Sequence, residues 1–177
     1  VLCTVLLTSV ARQLDATALH KVRVINANGD LSRFESYGLP VIPDSLPDWP
    51  GPLAGILSCL DWLAQSHCEC DLLLSCATDA PFISSDLAFR LLQARTVENA
   101  TLAQARSSGR RHPVFGLWPV SIRHDLRTAL IEDGLRKIDD FTDRFSLAIA
   151  DFAGHPDPFS NVNQPDDIAA AEAYFDS

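Results

Sequence analysis

A chain of 177 residues, 47% hydrophobic and 21% charged, has the size and composition of one domain that can bury its own core. Its formal net charge of −9 excludes general nucleic-acid binding, which needs a basic face. No apolar run approaches the roughly 18 residues that a membrane-spanning helix needs, so no membrane partner is expected. The cysteines Cys3, Cys59, Cys68, Cys70 and Cys76 are an odd set, three of them in apolar surroundings, which reads as reduced thiols in a cytoplasmic protein. The Cys-x-Cys of His67-Cys68-Glu69-Cys70 has no matching pair elsewhere and reads as a solvated helix end, not a zinc site.

Leu2 to Leu7 opens the chain as a buried-type strand, without the basic flank or cleavage site of a signal peptide. Thr8 to Leu14 follows at once as the capped start of a helix. A parallel strand reaches its crossover helix through a connection of about 2–6 residues. Residues are therefore expected to be absent between Leu7 and Thr8. The lack of any methionine points the same way, toward an incomplete translation product.

Lys21 to Asn26 alternates as a second strand, and Asn26-Ala27-Asn28-Gly29-Asp30 forms a turn. A short helix over Leu31 to Tyr37 leads through Gly38 to a third strand, Leu39 to Ile42, which ends on Pro43-Asp44. The rigid loop Asp48-Trp49-Pro50-Gly51-Pro52 then enters a helix of about four turns, with Pro52 suited to its first turn. Leu53, Ile56, Leu57, Leu60 and Leu63 form its apolar stripe. Gly51 and Gly55 leave backbone N–H groups at its start open to a ligand, or serve only to let the helix pack closely.

Asp71 to Pro81 is the stretch around which the chain is organised. Leu72-Leu73-Leu74 shows no polar alternation, as a central strand buried on both faces requires. Asp79 lies just past its carboxyl end, the edge at which open α/β sheets bind ligands. A carboxylate there suits a Mg²⁺ that bridges phosphate oxygens; the alternative is a turn cap before Pro81. Asn26 and Asp44 repeat the pattern, so three polar side chains are expected along one sheet edge.

Ser84-Ser85-Asp86 starts a helix with Leu87, Leu91 and Leu92 inward, and Thr101 to Ala105 is a strand ending in the turn Ser107-Ser108-Gly109. Arg110-Arg111-His112-Pro113 is a local cationic cluster ahead of the next strand, either a solvated loop or the positive patch that an acidic protein needs to handle anionic substrates. Val114 to Trp118 is a strand, and Ser121 to Glu132 a helix with Ile122, Leu126 and Leu130 inward. Gly134 to Ile138 adds a second basic pair, Arg136-Lys137, at a helix start. Ser146 to Ala150 is the last strand, and Pro158 to Asp167 opens the terminal helix, whose dipole Asp166 and Asp167 favour. The alternation predicts a single α/β domain, a three-layer sandwich around a doubly wound, mostly parallel sheet.

Taken together, Val24-Ile25-Asn26-Ala27-Asn28, Ile42-Pro43-Asp44, Gly51-Pro52-Leu53-Ala54-Gly55-Ile56, Thr78-Asp79-Ala80-Pro81, His112-Pro113 and Asn161-Val162-Asn163-Gln164-Pro165-Asp166-Asp167 resemble the molybdenum cofactor guanylyltransferases, a MobA-like nucleotidyltransferase family. The resemblance implies a Rossmann-like nucleotidyltransferase fold that transfers GMP from GTP to molybdenum-molybdopterin and releases pyrophosphate. It further implies a Mg²⁺ cofactor and association with other molybdenum cofactor biosynthesis proteins. By position, Leu7 would border the nucleotide loop, Asn26 and Asp44 would contact guanosine, and Gly51, Pro52, Leu53 and Gly55 would frame the base. Asp79 would be the catalytic metal and nucleotide ligand, with Asn163 beside it. Arg110, Arg111, His112, Asn161 and Asn163 would face the acceptor. The family's first strand runs into a glycine-rich loop, a Ser-Arg-Arg-Met-Gly-like stretch and a lysine, and here Leu7 meets Thr8 instead. Alternatives are a cytidylyl or sugar-nucleotide transferase on the same fold, or a loop-deleted, noncatalytic protein that binds pterin or a partner.

Overall fold

Among the described residues, six strands run one way and a seventh, inside the sheet, runs antiparallel to its neighbours. The computed structural model describes residues 2–4, 22–46, 51–66 and 70–175. Leu7, the Leu7–Thr8 junction, the helix expected from Thr8, the loop residues Asp48 to Pro50 and the segment His67 to Glu69 lie outside the described residues. The strands are β1 (Leu2–Thr4), β2 (Arg23–Asn26), β3 (Val41–Ile42), β4 (Leu72–Cys76), β5 (Leu102–Ser107), β6 (Arg110–Pro119) and β7 (Leu147–Phe152). Their order across the sheet is β3-β2-β1-β4-β6-β5-β7. All neighbours run parallel except at β6, which is antiparallel to both β4 and β5.

The helices are α1 (Pro52–Gln65), α2 (Leu87–Val97), α3 (Arg123–Ile131), α4 (Ile138–Thr142) and α5 (Pro165–Phe175), with 3₁₀ segments at Leu31–Tyr37 and Val120–Ile122. The first 3₁₀ segment covers the expected span; Asp30 caps it, accepting from the Ser32 N–H at 3.1 Å, and Gly38 ends it with φ +62°. On one face of the sheet, α1, α3 and α4 bury Leu57, Leu60, Leu126 and Phe141 against Val24, Leu73 and Trp118. On the other, Leu87 and Leu91 of α2 meet Leu74, Phe115, Leu117 and Phe159. Leu73 and Leu74 thus face opposite layers, which is why their strand shows no polar alternation. The three-layer, mostly parallel architecture follows from these two cores.

Where the cationic run was expected in a loop, the structure has a strand. β6 begins at Arg110, so Arg110, Arg111 and His112 belong to a hairpin with β5 and pair with Ser107, Arg106 and Ala105. The cause is the two-residue turn: Ser108 and Gly109 both have positive φ, +48° and +76°, the conformation that matches the twist of paired strands. The ladder then breaks. Gln104 pairs with Gly116 but Ala105 with His112, so Pro113, Val114 and Phe115 bulge out of the pairing with β5. Proline, which has no N–H to donate, sits naturally at such a break.

Gly109→Ala should destabilise the protein by about 1–2 kcal/mol, because a side chain in this backbone conformation is strained even where its Cβ would meet nothing within 4 Å. Urea unfolding followed by circular dichroism measures this, and an unchanged midpoint would mean that the turn relaxes to another type.

Candidate active site

Parallel strands carry Asn26, Asp44 and Asp79 to the same edge of the sheet. Asn26 closes β2, Asp44 lies two residues past β3, and Asp79 three residues past β4. A cavity of 230 Å³ opens there, lined by Asn26, Pro52, Gly55, Ser75, Thr78 and Asp79 among others. Asp44 stands behind Asn26. The Asn26 amide donates to the carbonyl of Ile42 and to the Asp44 carboxylate, both at 2.9 Å. Asn28 donates to the second Asp44 oxygen at 2.7 Å and accepts from the Asp44 N–H at 2.8 Å. With both amide hydrogens engaged, Asn26 has only its carbonyl oxygen to offer a ligand, and that oxygen lies against Gly55.

Gly55 is glycine because of this contact. A Cβ there would stand 2.8 Å from the Asn26 side-chain carbon and overlap its oxygen. Gly51, with φ +136°, gives α1 an N-terminus without a side-chain cap, and Pro52 occupies the first turn. Leu53, expected beside the nucleotide, has its side chain in the core at 1% exposure, so only its backbone could reach a ligand. Ser58, unremarked in the sequence, accepts from the Ser45 N–H at 2.7 Å and ties the loop after β3 to α1.

A second, larger cavity of 590 Å³ adjoins the first, and Ala77 and Val114 line both. Its wall includes Arg110, Arg111, His112, Asp157, Phe159 and Asn161. The three cationic residues are not equivalent. Arg111 reaches Asp139 and Asp143, each at 3.1 Å, so two carboxylates on the opposite helical layer balance its charge. Arg110 has no ion pair among the described residues and is the cation open to the cavity. His112 packs against the Phe159 ring at a centroid distance of 4.7 Å, and its Nε2 lies 2.8 Å from the Ser107 hydroxyl. Burial pushes the His112 pKa down, the Asp157 carboxylate pulls it up and Arg110 pushes it down again, leaving it below the ordinary histidine value. Burial raises that of Asp157, but the Phe159 N–H, the Ser107 hydroxyl, the charge of His112 and the Ser108 hydroxyl together hold it below the usual carboxylate range.

The segment before α5 is fastened to the loop that carries Asp79: the Val162 N–H donates to the Asp79 carbonyl at 2.7 Å. Asn161 therefore reaches the larger cavity. Asn163 lines neither cavity; its N–H and that of Gln164 donate to the Asp167 carboxylate at 3.1 and 3.0 Å, capping α5. No group of three or more His, Cys, Asp or Glu side chains is placed to hold a metal among the described residues. A single carboxylate at a cavity edge nonetheless fits Mg²⁺, which binds through one or two carboxylates, waters and substrate phosphates.

Two adjoining cavities at the carboxyl edge of a doubly wound sheet, one with a lone carboxylate and a helix N-terminus, the other with a free guanidinium, fit the class of nucleotide-handling transferases. The family comparison makes the class definite: residues 4–145 match the model of the MobA-like NTP transferase domain, and the chain belongs to that family. It is similar to the molybdenum cofactor guanylyltransferase of Rhodopseudomonas palustris (strain BisB5), 48% identical over 163 residues, covering 92% of this chain and 75% of that protein. The protein of the same name from Bradyrhizobium sp. (strain ORS 278) is 48% identical over 150 residues, covering 84% and 71%. Among solved structures, molybdopterin-guanine dinucleotide biosynthesis protein A from Archaeoglobus fulgidus superposes with a TM-score of 0.70 at 20% identity, covering 95% of this chain and 85% of that one. A cytidylyltransferase from Thermus thermophilus superposes at 0.66 with 16% identity, covering 96% and 90%. At such identities the likeness is one of fold.

Gly55→Ala should force Asn26 out of its place and cost about 1–3 kcal/mol. Removing the obstructing side chain as well, in the double variant Asn26→Ala with Gly55→Ala, should recover part of that loss. Strictly additive effects in a double-mutant cycle would show that the two residues do not touch.

Proposed function

We propose that this protein transfers GMP from GTP to the phosphate of molybdenum-molybdopterin, forming the guanine dinucleotide and pyrophosphate. The observation that carries the reading is the pair of cavities meeting at Ala77 and Val114. One holds the features that suit a nucleoside triphosphate, the other an unpaired cation that suits an anionic acceptor. The relatives named as guanylyltransferases support the choice of substrates.

In this reading GTP lies over Gly55 with its base against the segment Gly51 to Gly55 and its triphosphate toward Asp79. Asn26 and Asp44 border the guanosine, and the Asn26–Asp44–Asn28 bonds keep that wall rigid before the nucleotide arrives. Asp79 would hold Mg²⁺, which when bound neutralises phosphate charge and orients the groups that react. Arg110, His112 and Asn161 seat the acceptor phosphate so that its oxygen faces the α-phosphorus. Nucleotidyl transfer depends mainly on this positioning and on charge neutralisation. The reaction is one of the cytoplasm, and further proteins of molybdenum cofactor biosynthesis would deliver or collect the cofactor.

Asp79→Asn should lower turnover by about 100-fold or more across a Mg²⁺ titration, with an unchanged circular dichroism spectrum. GTP should be preferred to ATP and CTP, since each guanine pairing that another base leaves unmade costs about 1–3 kcal/mol. Faster turnover with CTP would move the assignment to cytidylyl transfer.

The two arginines should separate. Arg110→Ala should weaken acceptor binding, increasingly so at low salt, while leaving GTP affinity in place. Arg111→Ala should change it little, because Asp139 and Asp143 already balance that charge. Equal effects of both substitutions on acceptor affinity would contradict the assignment of Arg110 as the working cation.

A further inference from the structure

The hydroxyl of Ser107 stands between two titratable groups. It lies 2.9 and 2.7 Å from the two Asp157 oxygens and 2.8 Å from Nε2 of His112. A hydroxyl has one proton to give. The ionised carboxylate can only accept, and a bare oxygen lone pair turned toward it at these distances would be repelled. Ser107 therefore donates to Asp157 and must accept from His112, so Nε2 of the ring carries the hydrogen. The Asp157 carboxylate is itself oriented, since one oxygen also accepts from the Phe159 N–H at 2.9 Å and the other from the Ser108 hydroxyl at 3.3 Å. Phe159 and Phe115, at centroid distances of 4.7 and 6.3 Å, hold the imidazole plane. In the neutral ring the remaining lone pair is on Nδ1. That atom has no hydrogen-bond partner among the described residues, and His112 lines the larger cavity beside Arg110.

We propose that Asp157 and Ser107 are positioning residues that hold His112 in the Nε2–H form, and that Nδ1 takes up one proton when a doubly charged tetrahedral oxyanion, the acceptor's phosphate, enters the cavity. The inference rests on the functional reading above for the identity of that oxyanion and deepens it. A dianion brought against a bare Nδ1 lone pair is repelled; once Nδ1 is protonated, the same approach is a charge-assisted hydrogen bond alongside that of Arg110. The charged groups facing the ring are Asp157 through Ser107 and Arg110 on its own strand. The next guanidinium, that of Arg111, is held by Asp139 and Asp143. Burial keeps the empty site's imidazole neutral at neutral pH, and the anion offsets that penalty. The sign follows: bound-state protonation is favoured, so oxyanion affinity is fullest below the free-state pKa and is lost as pH rises through the raised one.

Sulfate is the probe of choice, because it has no proton of its own to give near neutral pH. The protein labelled with ¹⁵N-histidine is titrated with acid in its absence and presence, and His112→Asn identifies the His112 signals among the five histidines. Without sulfate the ring should show the hydrogen on Nε2 and a midpoint below the ordinary histidine value. Saturating sulfate should raise the midpoint by about one unit or more, equivalent to a roughly tenfold preference of the anion for the protonated ring. Arg110→Ala should diminish the shift, which places the anion in this cavity. Ser107→Ala and Asp157→Asn should each yield a mixture of the two neutral forms. A hydrogen found on Nδ1 in the neutral wild-type ring, or a midpoint that sulfate leaves unmoved, overturns the proposal. GMP transfer is assayed separately: transfer without the shift sinks this inference alone, while a shift without transfer upholds it and sinks the functional reading.

Discussion

One buried hydroxyl holds the centre of the sheet together. Ser75, at 5% exposure on β4, donates to the carbonyl of Val114 and accepts from the indole N–H of Trp118 at 2.8 Å. Val114 belongs to the bulge and Trp118 to the regular half of β6, so this group spans the point where the β5–β6 ladder fails. The Trp118 ring also passes over Gly116, where a Cβ would stand 3.1 Å from its nitrogen. Serine, glycine and tryptophan thus form one unit. Replacing the serine by an apolar residue would leave the buried Trp118 indole and the half-buried Val114 carbonyl without their partner, a loss of about 1–3 kcal/mol for a buried group left unsatisfied. Because Val114 lines both cavities, the same bond positions the wall between them.

Charge is arranged as closely as packing. Much of the arginine complement is paired internally: Arg106 with Asp151, Arg127 with Asp61, Arg144 with Asp133, Arg111 with two aspartates. Arg90 lies over the Phe152 ring at 4.2 Å and faces Asp86. Most of these pairs are exposed and contribute little stability. Their larger effect is subtraction, because they leave Arg110 as the cation facing the cavity. In a protein of net charge −9, anion attraction at one place depends on what has been neutralised elsewhere.

The sheet was legible because its signals are local. An apolar run such as Leu72 to Leu74 announces a doubly buried strand, and the leucine spacing of α1 announces a packed helix. Strand ends are local too, so Asn26, Asp44 and Asp79 could be assigned to one edge from the alternation of elements alone. What the sequence hid was non-local or side-chain specific. The bulge at Pro113 to Phe115 arises from register between two strands. The role of Asp157 depends on a hydroxyl fifty positions away. Arg110 and Arg111 read as one cluster in sequence, yet Arg111 meets Asp139 and Asp143 while Arg110 has no ion pair among the described residues. Ser108-Gly109 could have revealed the hairpin, since such pairs favour the tight turn.

The bond from the Val162 N–H to the Asp79 carbonyl has a consequence for how the molecule matures. Asp79 emerges from the ribosome long before its partner. The loop after β4 still lacks one of its anchors until the chain has been extended past residue 162. A nascent or truncated polypeptide that stops short of that point therefore lacks the main-chain donor that holds the loop after β4. The tether on the loop after β4 thus arrives late in synthesis, as a single main-chain donor from the segment that leads into the last helix.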